Sequence, residues 1–196
     1  MKRSGMWFVC ACAGLFMAWP VLARQSVVTP EPNPRPSSGV SGWTVFTRSP
    51  DTRVIYVSSM AGNDSNSGLS ESAPKRTLAA GYALLRDGYP DWLALRSGDQ
   101  WHESFPFWAK SGRSQTEKMV ITSYGSGERP LVLTGAAGGL EGISPIGVHR
   151  GHLALTDVQF VADGYAGGVG GPTAISLLNG WRDVLIENVK IERYVT

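Results

Sequence analysis

The chain has 196 residues, with 18 Lys and Arg against 16 Asp and Glu for a formal charge of +2. That balance gives no electrostatic argument for nucleic-acid binding. Its two cysteines, Cys10 and Cys12, both fall in the first twelve residues, so the remainder has neither a disulfide nor a cysteine metal site.

Met1-Lys2-Arg3 is followed by an apolar run from Met6 to Leu22 and by Val21-Leu22-Ala23, small enough to be cleaved. This reads as a secretory signal peptide over residues 1–23 and predicts a secreted or periplasmic protein. The alternative is a membrane anchor, but a run of about 17 residues with Pro20 inside it is short for a span of about 20. No membrane association is expected after cleavage. Losing Lys2 and Arg3 leaves 16 basic against 16 acidic residues, a neutral chain. Residues 24–42 carry Pro30, Pro32, Pro34 and Pro36 on alternate positions and read as an extended linker. The domain then occupies residues 43–196, enough for one core.

Arg53 to Ser58 alternates as a strand, and Gly62 to Gly68 is a dense turn cluster. Asn63, Asp64, Asn66 and Gly68 begin like a calcium loop but lack the distal bidentate Glu, so the reading is an Asx-built turn with no metal. Thr77 to Arg86 reads as a helix: Thr77 can N-cap, Leu78, Tyr82 and Leu85 share a face, and Gly88 can end it. One amphipathic helix before a run of strands suits the cover of an open end, with Trp92, Trp101 and Trp108 packed around it. Strands are expected at 92–96, 119–125 and 129–135.

The strongest signal lies further on. Leu153 to Phe160 (LALTDVQF) and Val184 to Ile191 (VLIENVKI) share one pattern, 31 residues apart: two short period-two strands hinged at Asp157 or Asn188. A helix would need apolar residues at i, i+3, i+4 and i+7. The repeat predicts a parallel solenoid with Leu153, Leu155, Val158 and Phe160 stacked on Val184, Ile186, Val189 and Ile191, and with Thr156, Gln159, Glu187 and Lys190 on an exposed face. Asp157 and Asn188 are read as a structural turn ladder, since Asx residues tolerate the left-handed region; an acid–base pair is the alternative.

The segments YVSSMAGNDSNSG, DWLALRSGDQW, MVITSYGSGERPLVLTG and DVLIENVKI, in that order, resemble the N-terminal portion of bacterial right-handed parallel β-helix proteins of the pectin-lyase-like superfamily. The resemblance covers about Val54 to Thr196. It implies an all-β fold, a right-handed parallel β-helix with an N-terminal capping helix, and an acidic or plant-type polysaccharide as partner. A superfold of this kind hosts lyases, hydrolases, esterases, epimerases and adhesion proteins, so the chemistry stays open. The layout it implies puts first strands at Ile146 to His149 and Ile175 to Leu178. Ile146 and Val148 are then buried and His149 outside, while the Gly-rich loop Ala162 to Pro172 walls a groove.

Two surfaces are candidates for substrate binding. In one, Arg150 could pair a uronate carboxylate or act as a lyase base beside His149 and His152. In the other, Asp163 and Tyr165 face Trp181 and Arg182 across the groove, the aromatic rings stacking on sugars. Exposed His and Arg on a solenoid face with no role at all is the competing reading. No outward acid pair or metal-ligand set is visible, so no cofactor is expected, although a full-length lyase of this resemblance would use calcium. With about four coils and no cap before Thr196, the chain reads as an N-terminal portion or truncated product without lyase or glycosidase turnover of its own. A non-catalytic surface module is the rival.

Overall fold

A computed structural model describes residues 43–195 of the protein; the leader and linker expected over residues 1–42 lie outside them. The described chain is a parallel β-solenoid of about three turns, rather than four, with one short helix. Its longest sheet stacks β1 (Val54–Val57), β2 (Trp92–Arg96), β4 (Met119–Tyr124), β7 (Arg150–Thr156) and β10 (Trp181–Glu187) in that order. A second sheet stacks β3 (Gln100–Trp101), β5 (Leu131–Leu133), β8 (Gln159–Val161) and β11 (Lys190–Glu192), and a third pairs β6 (Leu140–Ile143) with β9 (Ile175–Leu178). Every pairing is parallel.

The period-two pattern sets the register. Val184 stands on Leu153, Ile186 on Leu155 and Ile191 on Phe160. Continuing down the long sheet, Ile186, Leu155, Ile121, Leu93 and Ile55 make one inward column. The last four of these are 0 to 1 % exposed, so each contributes roughly 1.5–3 kcal/mol of apolar burial.

The hinges repeat as well. Asp157 and Asn188 have φ of 64° and 54°. Asn188 Nδ2 donates to Asp157 Oδ1 at 2.6 Å, and Arg129 Nη2 donates to Asn188 Oδ1 at 2.7 Å. Beside the hinge the expected solvent face is lost on the inner coil, where Thr156 and Gln159 are 0 and 1 % exposed, while Glu187 and Lys190 one coil on are only half-buried. Stacking accounts for this, because Thr156 Oγ1 donates to Thr122 Oγ1 at 3.0 Å and Gln159 Nε2 reaches Glu192 at 3.3 Å, each bonding to a neighbouring rung instead of water.

Helix α1 (Leu78–Leu84) closes the first coil. Thr77 Oγ1 accepts from Ala80 N at 3.1 Å, and the turn cluster supports that start, since Asp64 accepts from the amides of Arg76 and Thr77. A Cβ on Gly81 would lie 2.5 Å from Val57 Cγ2 and 2.8 Å from Leu93 Cδ1, so only glycine lets the helix sit this close to the strands. The helix stops two residues earlier than its pattern suggested, and Lys110 replaces a glycine cap: its Nζ donates to the carbonyls of Tyr82 (2.8 Å) and Leu85 (2.6 Å). Burial at this post holds the Lys110 ammonium below its ordinary pKa. Trp101 and Trp108 are buried near this end, and Trp108 meets the Tyr82 ring at 4.8 Å.

One expected strand is wrong. Residues 146–149 form no strand, and Ile146 is 98 % exposed. The first strand of that coil is β6, six residues earlier. The β6–β9 pairing is offset by 35 residues where β7–β10 is offset by 31, so four extra residues must bulge out between β6 and β7. They do so as a turn in which Val148 N donates to Pro145 O at 3.0 Å and Gly147 takes φ of 79°.

Residues 44–49 cross the long sheet on its outside. Thr44 N donates to Glu187 Oε1 at 2.9 Å, Phe46 meets Trp92 edge-on at 6.4 Å, and Ser49 Oγ donates to Glu117 Oε1 at 2.6 Å.

Candidate functional site

The solenoid turns a corner between β6 and β7 in one coil and between β9 and β10 in the next. At this corner lies a cavity of about 530 Å³. The inner coil supplies His149, Arg150, Gly151 and His152, the terminal coil Arg182 and Asp183, and the stretch before β4 Ser111, Gly112 and Gln115. Four of the seven residues singled out from sequence therefore meet here: His149, Arg150, His152 and Arg182. The parallel register brings them together, setting Trp181 on Arg150 and Arg182 on Gly151.

The structure separates the other three. Asp163 Oδ1 accepts from Gly135 N at 2.8 Å, and Tyr165 hydroxyl donates to Gly168 O within its own loop. That loop joins β8 to β9, at a different corner from the cavity, so it does not wall this groove. Trp181 is half-buried and packs against the core, with Cζ2 3.1 Å from where a Gly142 Cβ would be and its indole N–H buried and unpartnered, and it does not line the cavity.

Each cavity cation has its own setting. Arg150 is the best held: Nη1 donates to Ala109 O and lies 3.8 Å from Asp87 Oδ2, while its buried Nε has no partner. Arg182 is exposed, and no hydrogen bond or ion pair holds its guanidinium among the described residues. His149 is exposed on the turn that replaced the expected strand.

Sequence reasoning missed the central pair. His152 Nδ1 and Asp183 Oδ2 are 2.6 Å apart, and Lys118 Nζ pairs with Asp183 Oδ1. Burial pushes the Asp183 carboxyl up, but the hydrogen bonds from Lys118 and His152 outweigh it and hold the group below the usual carboxylate range. The two residues occupy equivalent rungs: φ is 52° at His152 and 53° at Asp183, and the β7–β10 ladder skips both. The signal was in the repeat, because the 31-residue offset that aligns Leu153 with Val184 also aligns His152 with Asp183, and the 34-residue offset of β4 and β7 aligns Lys118 with His152. Three rungs thus carry a Lys–His–Asp column along one edge of the cavity.

Among the described residues no group of three or more His, Cys, Asp or Glu could hold a metal ion. Asp183, the carboxylate that lines the cavity among the described residues, is held by the Lys118 ammonium and by the His152 ring.

No protein-family model matches the chain, and no curated protein does. A solved structure does. It is the GH136 lacto-N-biosidase from Eubacterium ramulus, at 17 % identity and a TM-score of 0.52, with 72 % of this chain and 34 % of that one covered. Its selenomethionine derivative aligns at 15 % identity and a TM-score of 0.48, over 74 % of this chain and 35 % of that one. The likeness supports the β-helix fold. This chain spans about a third of the length of that enzyme.

Proposed function

We propose that the protein is a saccharide-binding part of a secreted, pectin-lyase-like β-helix, and that the corner cavity takes an acidic sugar unit of a polysaccharide. The observation that carries this reading is the convergence of His149, Arg150, His152 and Arg182 on one cavity whose carboxylate among the described lining residues, Asp183, is already held by Lys118 and His152. Arg182 is available to form a two-pronged bond with a carboxylate or sulfate, while Arg150, fixed from behind, presents a pre-positioned charge. The β-helix fold, shared with a glycoside hydrolase, supports the choice of a saccharide over other anions, and the leader expected at residues 1–23 supports export. The reading invokes no cofactor.

Calorimetric titration with oligogalacturonate and with a neutral gluco-oligosaccharide tests it. Binding is expected for the acidic chain alone, weakened about tenfold in Arg182→Ala by loss of a charged bond of roughly 1.5–3 kcal/mol and weakened further by salt. Equal affinity for the neutral chain, or no effect of Arg182→Ala, would contradict the reading.

A further inference from the structure

The column Lys118–His152–Asp183 holds an imidazole in a fixed setting at the cavity. Asp183 is ionised and accepts only, so the imidazole must present Nδ1–H to it. In the neutral ring that leaves Nε2 as the basic nitrogen. Among the described residues nothing is bonded to Nε2, and His152 lines the cavity. An imidazole fixed in one tautomer by a carboxylate, with its other nitrogen facing an open cavity, is the arrangement a general base requires. Lys118 keeps the carboxylate charged and in place.

The surroundings select the reaction. Glycosidic hydrolysis needs a second carboxyl group and an acid, and the cavity has neither. Ser111 Oγ accepts from Gly151 N at 3.2 Å, and no hydrogen bond joins it to His152, so the base is not coupled to a serine nucleophile. Water can enter the cavity, and the unpaired Arg182 guanidinium, a neighbour of Asp183 in sequence, can stabilise an oxyanion.

We propose that His152, positioned by Asp183, is the general base of a hydrolytic centre that removes ester groups from a saccharide held in this cavity. His152 Nε2 takes a proton from water as its oxygen adds to the ester carbonyl. The tetrahedral oxyanion is held by Arg182. The C–O bond to the sugar oxygen then breaks, and that oxygen leaves with the proton returned from Nε2, giving a carboxylic acid and the free hydroxyl. The saccharide part rests on the function proposed above; the ester chemistry rests on the His–Asp pair alone.

The test uses the whole chain and two substrates, a small activated acetate ester and an O-acetylated oligogalacturonate. Because His152 has φ of 52°, glycine is the replacement its backbone accepts most readily. His152→Gly is expected to lose at least a hundredfold in turnover on both substrates and to recover part of it on addition of free imidazole, which a purely structural role would not do. Asp183→Asn is expected to lose tenfold or more, and His102→Gln, an exposed residue outside the cavity, to change nothing. Circular dichroism of each variant confirms folding. Absence of ester turnover in the parent chain, turnover unaffected by His152→Gly, or a loss that imidazole does not restore would each overturn the proposal. Turnover of the small ester without binding of oligogalacturonate would refute the saccharide reading and leave the hydrolytic centre standing.

Discussion

Two neighbouring coils with the same sequence pattern behave differently. In the coil of β7 and β8, Leu153, Leu155, Val158 and Phe160 are 0 to 1 % exposed. In the coil of β10 and β11, Ile186 and Ile191 are 48 % and 47 % exposed, and Val184 and Val189 are only partly buried. β7 and β8 have a paired strand on each side, whereas β10 and β11 stand at the ends of their sheets among the described strands. Alternation in a solenoid thus decides which side chains point inward, and the number of neighbouring rungs decides how much burial that orientation yields.

The largest expected effect follows directly. Leu155→Ala opens a cavity in a packed interior and is expected to cost about 2–5 kcal/mol in denaturant unfolding, against about 1 kcal/mol or less for the corresponding Ile186→Ala. Equal losses at the two positions would contradict this dependence on neighbouring rungs.

The acid sensitivity of the two ends should differ next. Asp91 is fully buried, receives a hydrogen bond from Arg53 N, and pairs with Arg86 at 2.6 Å; Asp183 is about a quarter exposed. Burial pushes both carboxyls up, and their hydrogen bonds outweigh it and hold both below their ordinary pKa. A depressed folded-state pKa stabilises above the unfolded value of about 4 and loses that stability as pH falls through the folded one. Melting temperature should therefore fall between neutral pH and acid below about pH 4. Asp91→Asn should remove more of that dependence than Asp183→Asn, since its carboxylate is the better enclosed. A larger effect from Asp183→Asn would place the acid-labile contact in the terminal coil instead.

Much of the fold was legible because its cause is local. The strand period, the Asx hinges and the Thr77 cap each depend on a few adjacent residues, and the 31-residue repeat carries the register across a rung. The first strand of the inner coil was not legible. Ile146-Gly147-Val148 alternates like a strand, and only the four-residue difference between the β6–β9 and β7–β10 offsets shows that it is a turn. The candidate site was legible in Arg150, Arg182 and the two histidines and not in the His152–Asp183 pair, because Asp183 gains its meaning only when set beside the residue one coil earlier. Trp181, expected across a groove from Asp163 and Tyr165, instead starts β10 and packs beside Gly142, half-buried against the core.

The hinge ladder contributes less than the buried column. Asp157→Ala forfeits the bond from Asn188 and puts alanine at φ of 64°, for an expected loss of about 1–3 kcal/mol. Asn188→Gly keeps the backbone conformation and should cost about 1 kcal/mol. Smallest in stability is Ile186→Lys with Ile191→Lys, expected to change denaturant unfolding by less than about 1 kcal/mol, because both side chains are about half exposed on strands at the ends of their sheets among the described strands. A loss as large as that of Leu155→Ala would contradict it.

The cavity spans the two coils, with Arg150 and His152 on the protected one and Arg182 and Asp183 on the exposed one, so occupancy should couple them. Amide hydrogen exchange with and without oligogalacturonate measures this directly. The expected result is protection at least tenfold higher in β7 than in β10 for the free protein, with the acidic ligand slowing exchange in β10 more than in β7. Equal protection of the two strands in the free protein, or a ligand that leaves β10 unchanged, would contradict it.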